Sequence, residues 1–164
     1  MIYSNTCVAM LNKQMAQEDA ARLLYQSMAA FFSSQNLGGL ERYFLKEADG
    51  EAGHKRMVHD YMSKAQMPAE IISAPAPVVF TSAVSCVDAY VAAEETNTQQ
   101  WRAIRKQAMD DGDYNTEAFA VKMIEQQTDE IADAYDLQAR VKRAIANPAM
   151  ASIGLNAVDA ELDG

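Results

Sequence analysis

Glu51 and His54 stand three residues apart, a spacing that on an α-helix puts a carboxylate and an imidazole on one face, one turn apart. Three more carboxylates occupy comparable places, since Glu18, Glu94 and Glu130 each fall inside a run of apolar residues at helical spacing. Glu18 interrupts Leu11, Met15, Tyr25, Met28 and Phe32, while Glu47, Glu51 and His54 interrupt Phe44, Val58, Tyr61 and Met62. Glu94, with Glu95 beside it, lies among Val87, Tyr90, Val91, Trp101 and Ile104. Gln127 and Glu130 lie among Phe119, Met123, Ile131, Leu137 and Val141. A carboxylate buried without a partner is expensive, so such acids must be protonated, paired or bound to a cation. Arg22 and Lys122, near the stripe edges, are too few to neutralise the set. Clustered carboxylate oxygens with one imidazole suit a hard or borderline divalent metal such as iron or manganese. The rival reading is that the helical phase is wrong on one or two helices and these acids are solvated. Glu51-x-x-His54 is an independent signal against it.

Symmetric di-iron bundles supply Glu-x-x-His from two helices. This chain has it once, and the matching place in the fourth helix reads Gln127-x-x-Glu130. Two metal positions built from these residues must differ, one having a nitrogen ligand and the other oxygen only. That asymmetry suits a site where one ion is held and the other passes through.

The elements that would position these residues follow from sparse punctuation. The 164 residues contain only four prolines, at 68, 75, 77 and 148, which leaves two long stretches rich in helix formers. Gly38-Gly39 divides the first stretch and Gly112 the second, which predicts helices near 6–35, 39–66, 82–111 and 113–146. A short, weakly amphipathic segment follows at about 149–161, patterned by Ile153, Leu155, Val158 and Leu162. A helix of about 27 residues is about 40 Å long at 1.5 Å per residue. The linker 67–81, made extended by its prolines, reaches at most about 50 Å. It can run the length of the bundle and set the third helix parallel to the second. Two short hairpins joined by one long crossover is a ferritin-like four-helix bundle, all-α, and the chain is expected to form a single domain over 1–164.

Composition excludes several classes. Two Cys (Cys7, Cys86) and two His (His54, His59) cannot build a zinc ribbon or a disulfide framework. With 23 acids against 14 bases and a net charge of -9, a nucleic-acid partner is not expected. No run approaches the roughly 18 apolar residues of a membrane span. The start, MIYSNTCVAMLNKQ, lacks the basic and apolar regions of a targeting peptide, so the cytoplasm is the expected location. Gly-rich phosphate loops and nucleophile-elbow patterns are absent. Cys7 and Cys86 read as packing residues and His59 as a surface residue.

Taken together, these stretches resemble the non-haem ferritin family of bacterial and cyanobacterial type. LNKQMAQEDAARLLYQSMAAFF is similar to its first helix, and Glu51-x-x-His54 with the following KRMVHDY resembles its second-helix ligand block. Ala74-Pro75-Ala76-Pro77 is similar to its crossover, Glu94 to its third-helix acid, and Glu125-Gln126-Gln127-Thr128-Asp129-Glu130 to its fourth-helix block. The resemblance covers roughly residues 9–145. It implies a ferroxidase centre where two Fe(II) per subunit are oxidised by oxygen or peroxide, and a homo-oligomeric 24-subunit cage that stores the ferric mineral. It assigns one iron to Glu18, Glu51 and His54, and the other to Glu51, Glu94 and Glu130, with Gln127 close by. Under it Tyr25 is either an electron donor or a core aromatic with a bonded hydroxyl.

Departures from the family pattern qualify this. Gly50, Gly53 and Gln126 replace frequent acids, which puts a third iron site in doubt, with Asp49 and Glu95 as the candidates to compensate. No methionine stands out as a haem ligand. Glu117 is expected as a lone exposed glutamate or as the lining of an iron channel. The rival functions are a di-iron or di-manganese oxidase that does not store its product, a DNA-protecting mini-ferritin and a metal-free bundle. Mini-ferritins place ligands across a subunit interface, against which the complete set in one chain argues.

Overall fold

In a computed structural model, residues 3–73, 76 and 78–163 are described. Ala74, Pro75 and Pro77 of the crossover motif lie outside them. Four long helices form, α1 (Asn5–Ser34), α2 (Gly38–Lys64), α3 (Ala83–Asp110) and α4 (Tyr114–Ala144). A 3-10 turn (Pro148–Met150) leads into α5 (Ala151–Leu162). Helix starts are set by side-chain caps that satisfy otherwise orphaned N–H groups. Ser4 accepts from Cys7 N–H, Ser82 from Ser85 N–H and Asp113 from Thr116 N–H. Gly112 supplies the left-handed residue (φ +68°) that ends α3.

Cross-helix pairs fix the directions. Tyr25 meets Glu94 while Ser4 meets Asp113, and His54 meets Glu130 while Tyr61 meets Thr116. Helix α1 therefore runs antiparallel to α3, and α2 antiparallel to α4. With each hairpin antiparallel as well, α2 and α3 are parallel, as the long linker predicts. The protein is an all-α four-helix bundle with one long crossover and a short fifth helix. Among the described residues no helix is long and apolar enough to cross a membrane.

The first break, residues 35–37, falls one residue earlier than predicted. The chain turns at Asn36, itself left-handed (φ 57°), and α2 opens at Gly38, one residue before the expected start at 39. Gly39 is needed for a different reason, because a Cβ there would lie 2.0 Å from the carbonyl oxygen of Asp159 on α5. Gly154 is bound likewise, 2.3 Å from Ala144 O. Helix α5 thus lies directly on the start of α2 and the end of α4. Its Val158 is buried, whereas Ile153 of the expected apolar pattern is 62% exposed.

Two apolar clusters fill the bundle. One gathers Tyr25, Met28, Phe32, Leu40, Phe44, Tyr90, Leu137 and their neighbours, and the other Leu11, Met15, Val58, Met62, Trp101, Ile104 and Met123. Along every helix the residues between them are polar: Glu18, then Glu51 and His54, then Glu94 and Asn97, then Gln127. Glu18, Glu51 and Glu94 form one buried polar layer with His54 and Gln127, and Glu130 stands half-buried at its edge.

Candidate metal centre

Glu18 is fully buried, and Glu51 and His54 are 3% and 9% exposed. One ligand atom from each lies within 4.8 Å of the others, the one group of this kind among the described residues. His54 Nδ1 is 3.0 Å from Glu51 Oε2 one turn away, and Nε2 is 3.0 Å from Glu130 Oε1 on α4. Glu94 accepts from the Tyr25 hydroxyl at one oxygen and from the Gln127 amide at the other. Glu130 is the most open of the acids, yet its Oε2 is buried and has no hydrogen-bond partner. An unpartnered buried carboxylate oxygen beside three converging ligands suits a cation.

The electrostatics agree. Burial pushes Glu51 well above the ordinary carboxylate range; the His54 bond opposes this and the Glu18 carboxylate adds to it. Glu94 is pushed up to about 7, first by burial, against the hydrogen bond from Tyr25 and with the nearby Glu130 charge. Burial pulls His54 down, but its bonds to Glu130 and Glu51 prevail and push it up to about 11. Burial, Glu94 and Glu51 keep the Tyr25 hydroxyl protonated far above its usual range. Several carboxylates thus share too little positive charge, the condition that a divalent ion relieves.

The sequence-derived set therefore comes together in one layer, with unequal roles. Glu18, Glu51 and His54 converge, Glu94 and Gln127 bond to each other, and Glu130 bonds to His54. Tyr25 is a buried core aromatic, in edge contact with Tyr90 at 5.1 Å, and also reaches the centre through Glu94. Glu47, on the same face of α2, takes the Tyr90 hydroxyl at 2.8 Å instead. Asp49 is exposed, and Glu95 bonds to Tyr135 at the surface. Glu117 is neither lone nor fully exposed, because Arg105 pairs with it at 3.0 Å. His59 is on the surface, and Cys7 and Cys86 are buried and free.

Three donors escaped the sequence reading. Gln14, Asn97 and Trp101 all point N–H groups at Glu18, at 2.7, 3.0 and 3.2 Å. Their positions carry the signal in retrospect. Gln14 precedes Glu18 by four residues and Asn97 follows Glu94 by three, so both share the ligand face of their helix.

Comparison with known proteins bears on this geometry. A sequence profile described as ferritin-like domain matches residues 8–144. The chain is 29% identical over 128 residues, 77% of each chain, to a bacterial non-heme ferritin of Staphylococcus epidermidis. It is 26% identical over 130 residues, 79% of this chain and 78% of the relative, to one of Staphylococcus aureus. In fold it is similar to an open pore ferritin of the hyperthermophilic archaeon Archaeoglobus fulgidus, with a TM-score of 0.91 and 23% identity over 97% and 96% of the two chains. The apo-ferritin of Pseudo-nitzschia multiseries aligns with a TM-score of 0.89 and 24% identity over 96% and 98%.

Proposed function

The chain belongs to the ferritin family, and on that footing we propose that it oxidises Fe(II) in the buried polar layer and stores the ferric product inside a 24-subunit cage of its own copies. The observation that carries this reading is the convergence of Glu18, Glu51 and His54 between the two apolar clusters. Iron is the substrate. One Fe(II) takes Glu18, Glu51 and His54 as ligands, and the other takes Glu51, Glu94 and Glu130, with Gln127 alongside. Each ion gives up one electron to oxygen or peroxide, and carboxylates stabilise the higher charge it acquires. In this reading Tyr25 gives an electron to the centre and its proton to Glu94, and the hydrogen bond between the two supports it. The cytoplasm, where Fe(II) is available and thiols stay reduced, is the setting this chemistry fits.

Anaerobic Fe(II) titration tests the reading. Saturable binding of two ions per chain is expected, lost in Glu51→Ala, with uptake followed by oxidation when oxygen is admitted. Size-exclusion chromatography should return a mass of about 24 chains. Absence of saturable binding would end the ferroxidase reading, and a monomer or dimer that turns over iron would end the storage reading alone.

A further inference from the structure

Asn97 uses every polar atom it has inside the polar layer. It is 2% exposed, sits on α3 and reaches two other helices. Its Nδ2 donates to Glu18 Oε2 and to Gln127 Oε1, each at 3.0 Å, and its Oδ1 accepts from Gln14 Nε2. Gln127 in turn donates to Glu94, and Gln14 donates to Glu18. The chain of amides has only one sensible direction. The NH2 of Asn97 faces the Glu18 carboxylate, whose Oε2 accepts from it. The second N–H of that NH2 then requires the carbonyl of Gln127, and the amide of Gln127 is left with its NH2 toward Glu94. One side chain therefore decides how a carboxylate on α1 and an amide on α4 are held.

We infer that Asn97 is a positioning residue of the metal centre, fixing Glu18 as a ligand and turning Gln127 into a donor to Glu94, with its carbonyl oxygen engaged by Asn97. This rests on the metal-binding reading above. The charges are arranged to match. Glu18 receives three N–H groups from neutral side chains (Gln14, Asn97 and Trp101), so it is steadied without a cation that would compete with metal. Glu51, its neighbour in the centre, is hydrogen-bonded to the imidazole of His54, itself a ligand. Glu18 is thus the side of the site held by neutral donors. Partners of this kind orient ligands before the metal arrives, and their loss typically lowers metal affinity by about 10- to 100-fold.

The test uses Co(II) as the probe, added to the assembled native protein and to Asn97→Leu, which keeps the volume and removes every polar atom. Binding is followed by the visible ligand-field bands of Co(II), which report the number and geometry of ligands. The expected result is a loss of about 10-fold or more in affinity at the tighter position and a changed band pattern in Asn97→Leu. A purely structural role would lower the thermal midpoint and leave the spectrum unchanged. Gln14→Leu cuts the same chain from the α1 side and serves if Asn97→Leu does not fold; it should show the same changes in weaker form. Native protein that binds Co(II) alongside variants with the native affinity and spectrum would overturn the positioning role alone. Native protein that binds no Co(II) would overturn the metal-centre reading and this inference with it.

Discussion

His54 Nε2 lies 3.0 Å from Glu130 Oε1, so the imidazole of the centre is clasped between a carboxylate of its own helix and one of α4. The consequence is a centre that holds protons when it holds no metal. His54 is pushed up to about 11, with its carboxylate bonds overcoming burial, and Glu94 is pushed up to about 7 by burial above all. A cation must displace those protons, so metal affinity should rise with pH. Anaerobic Co(II) titrations between about pH 6 and about pH 8 are expected to show tighter binding at the higher pH, with proton release in the calorimeter. An affinity that is flat across this range would contradict the shared-proton arrangement.

The stability of the metal-free protein should move the other way. Both folded pKa values lie above the ordinary ones, 4.5 for Glu94 and 6.5 for His54. Their stabilising contributions are therefore complete below those ordinary values. They are lost as pH rises, for Glu94 up to about 7 and for His54 up to about 11. The thermal midpoint of metal-free protein should fall between about pH 5.5 and about pH 8, and Glu94→Gln should reduce that slope.

Glu51 supports binding at the expense of stability. It is 3% exposed and pushed well above the carboxylate range by burial, so its charged form is disfavoured in the empty centre. Glu51→Gln keeps the shape and removes the charge. The expected outcome is a raised thermal midpoint for the metal-free protein together with a loss of metal binding of about 100-fold. A destabilised Glu51→Gln variant would show that the carboxylate is held by its neighbours more firmly than its burial suggests.

Gly50 and Gly53 flank that ligand in the middle of α2, and a Cβ at either would meet nothing within 4 Å. No close approach or positive φ requires them there. Gly50→Ala and Gly53→Ala should each stabilise the helix by about 0.8–1 kcal/mol, read as a rise in the denaturation midpoint with an unchanged slope. If either variant weakens Co(II) binding while it stabilises the fold, the local softness of α2 belongs to the function of the centre.

How much of this was legible depends on the range of the signal. The four helices, the parallel crossover and the acids of the polar layer were readable, because helical periodicity and linker reach are local properties. Glu51 and His54 announced themselves through a three-residue spacing, and Glu18 through the apolar residues around it. Asn97 and Gln14 did not stand out, since a single amide in a helix is usually a surface residue and its three bonds span helices far apart in sequence. The need for glycine at position 39 was hidden for a related reason. Two adjacent glycines signal a turn in the local sequence, whereas the constraint on Gly39 comes from Asp159, 120 positions later.

Those adjacent glycines give a prediction in which neighbouring substitutions have opposite signs. A Cβ on Gly38 would meet only the guanidinium end of Arg42, at 3.3 Å, and a flexible side chain can yield. A Cβ on Gly39 would lie 2.0 Å from the backbone oxygen of Asp159, which cannot yield unless α5 moves. That movement would break the hydrogen bond from Leu40 N–H to Asp159 Oδ1, 2.7 Å long, which caps an α2 start that has no cap of its own. Gly38→Ala is therefore expected to be neutral or stabilising, whereas Gly39→Ala should cost about 1–3 kcal/mol as overpacking does. Asp159→Ala removes the cap without a clash and should cost about 1 kcal/mol. Since α5 packs on the apolar cluster around Leu40 and Phe44, away from the polar layer, all three variants should bind Co(II) as the native protein does. Thermal melts of the three, with Co(II) titrations of each, decide the matter. Equal effects of Gly38→Ala and Gly39→Ala would show that α5 does not press on α2 in solution.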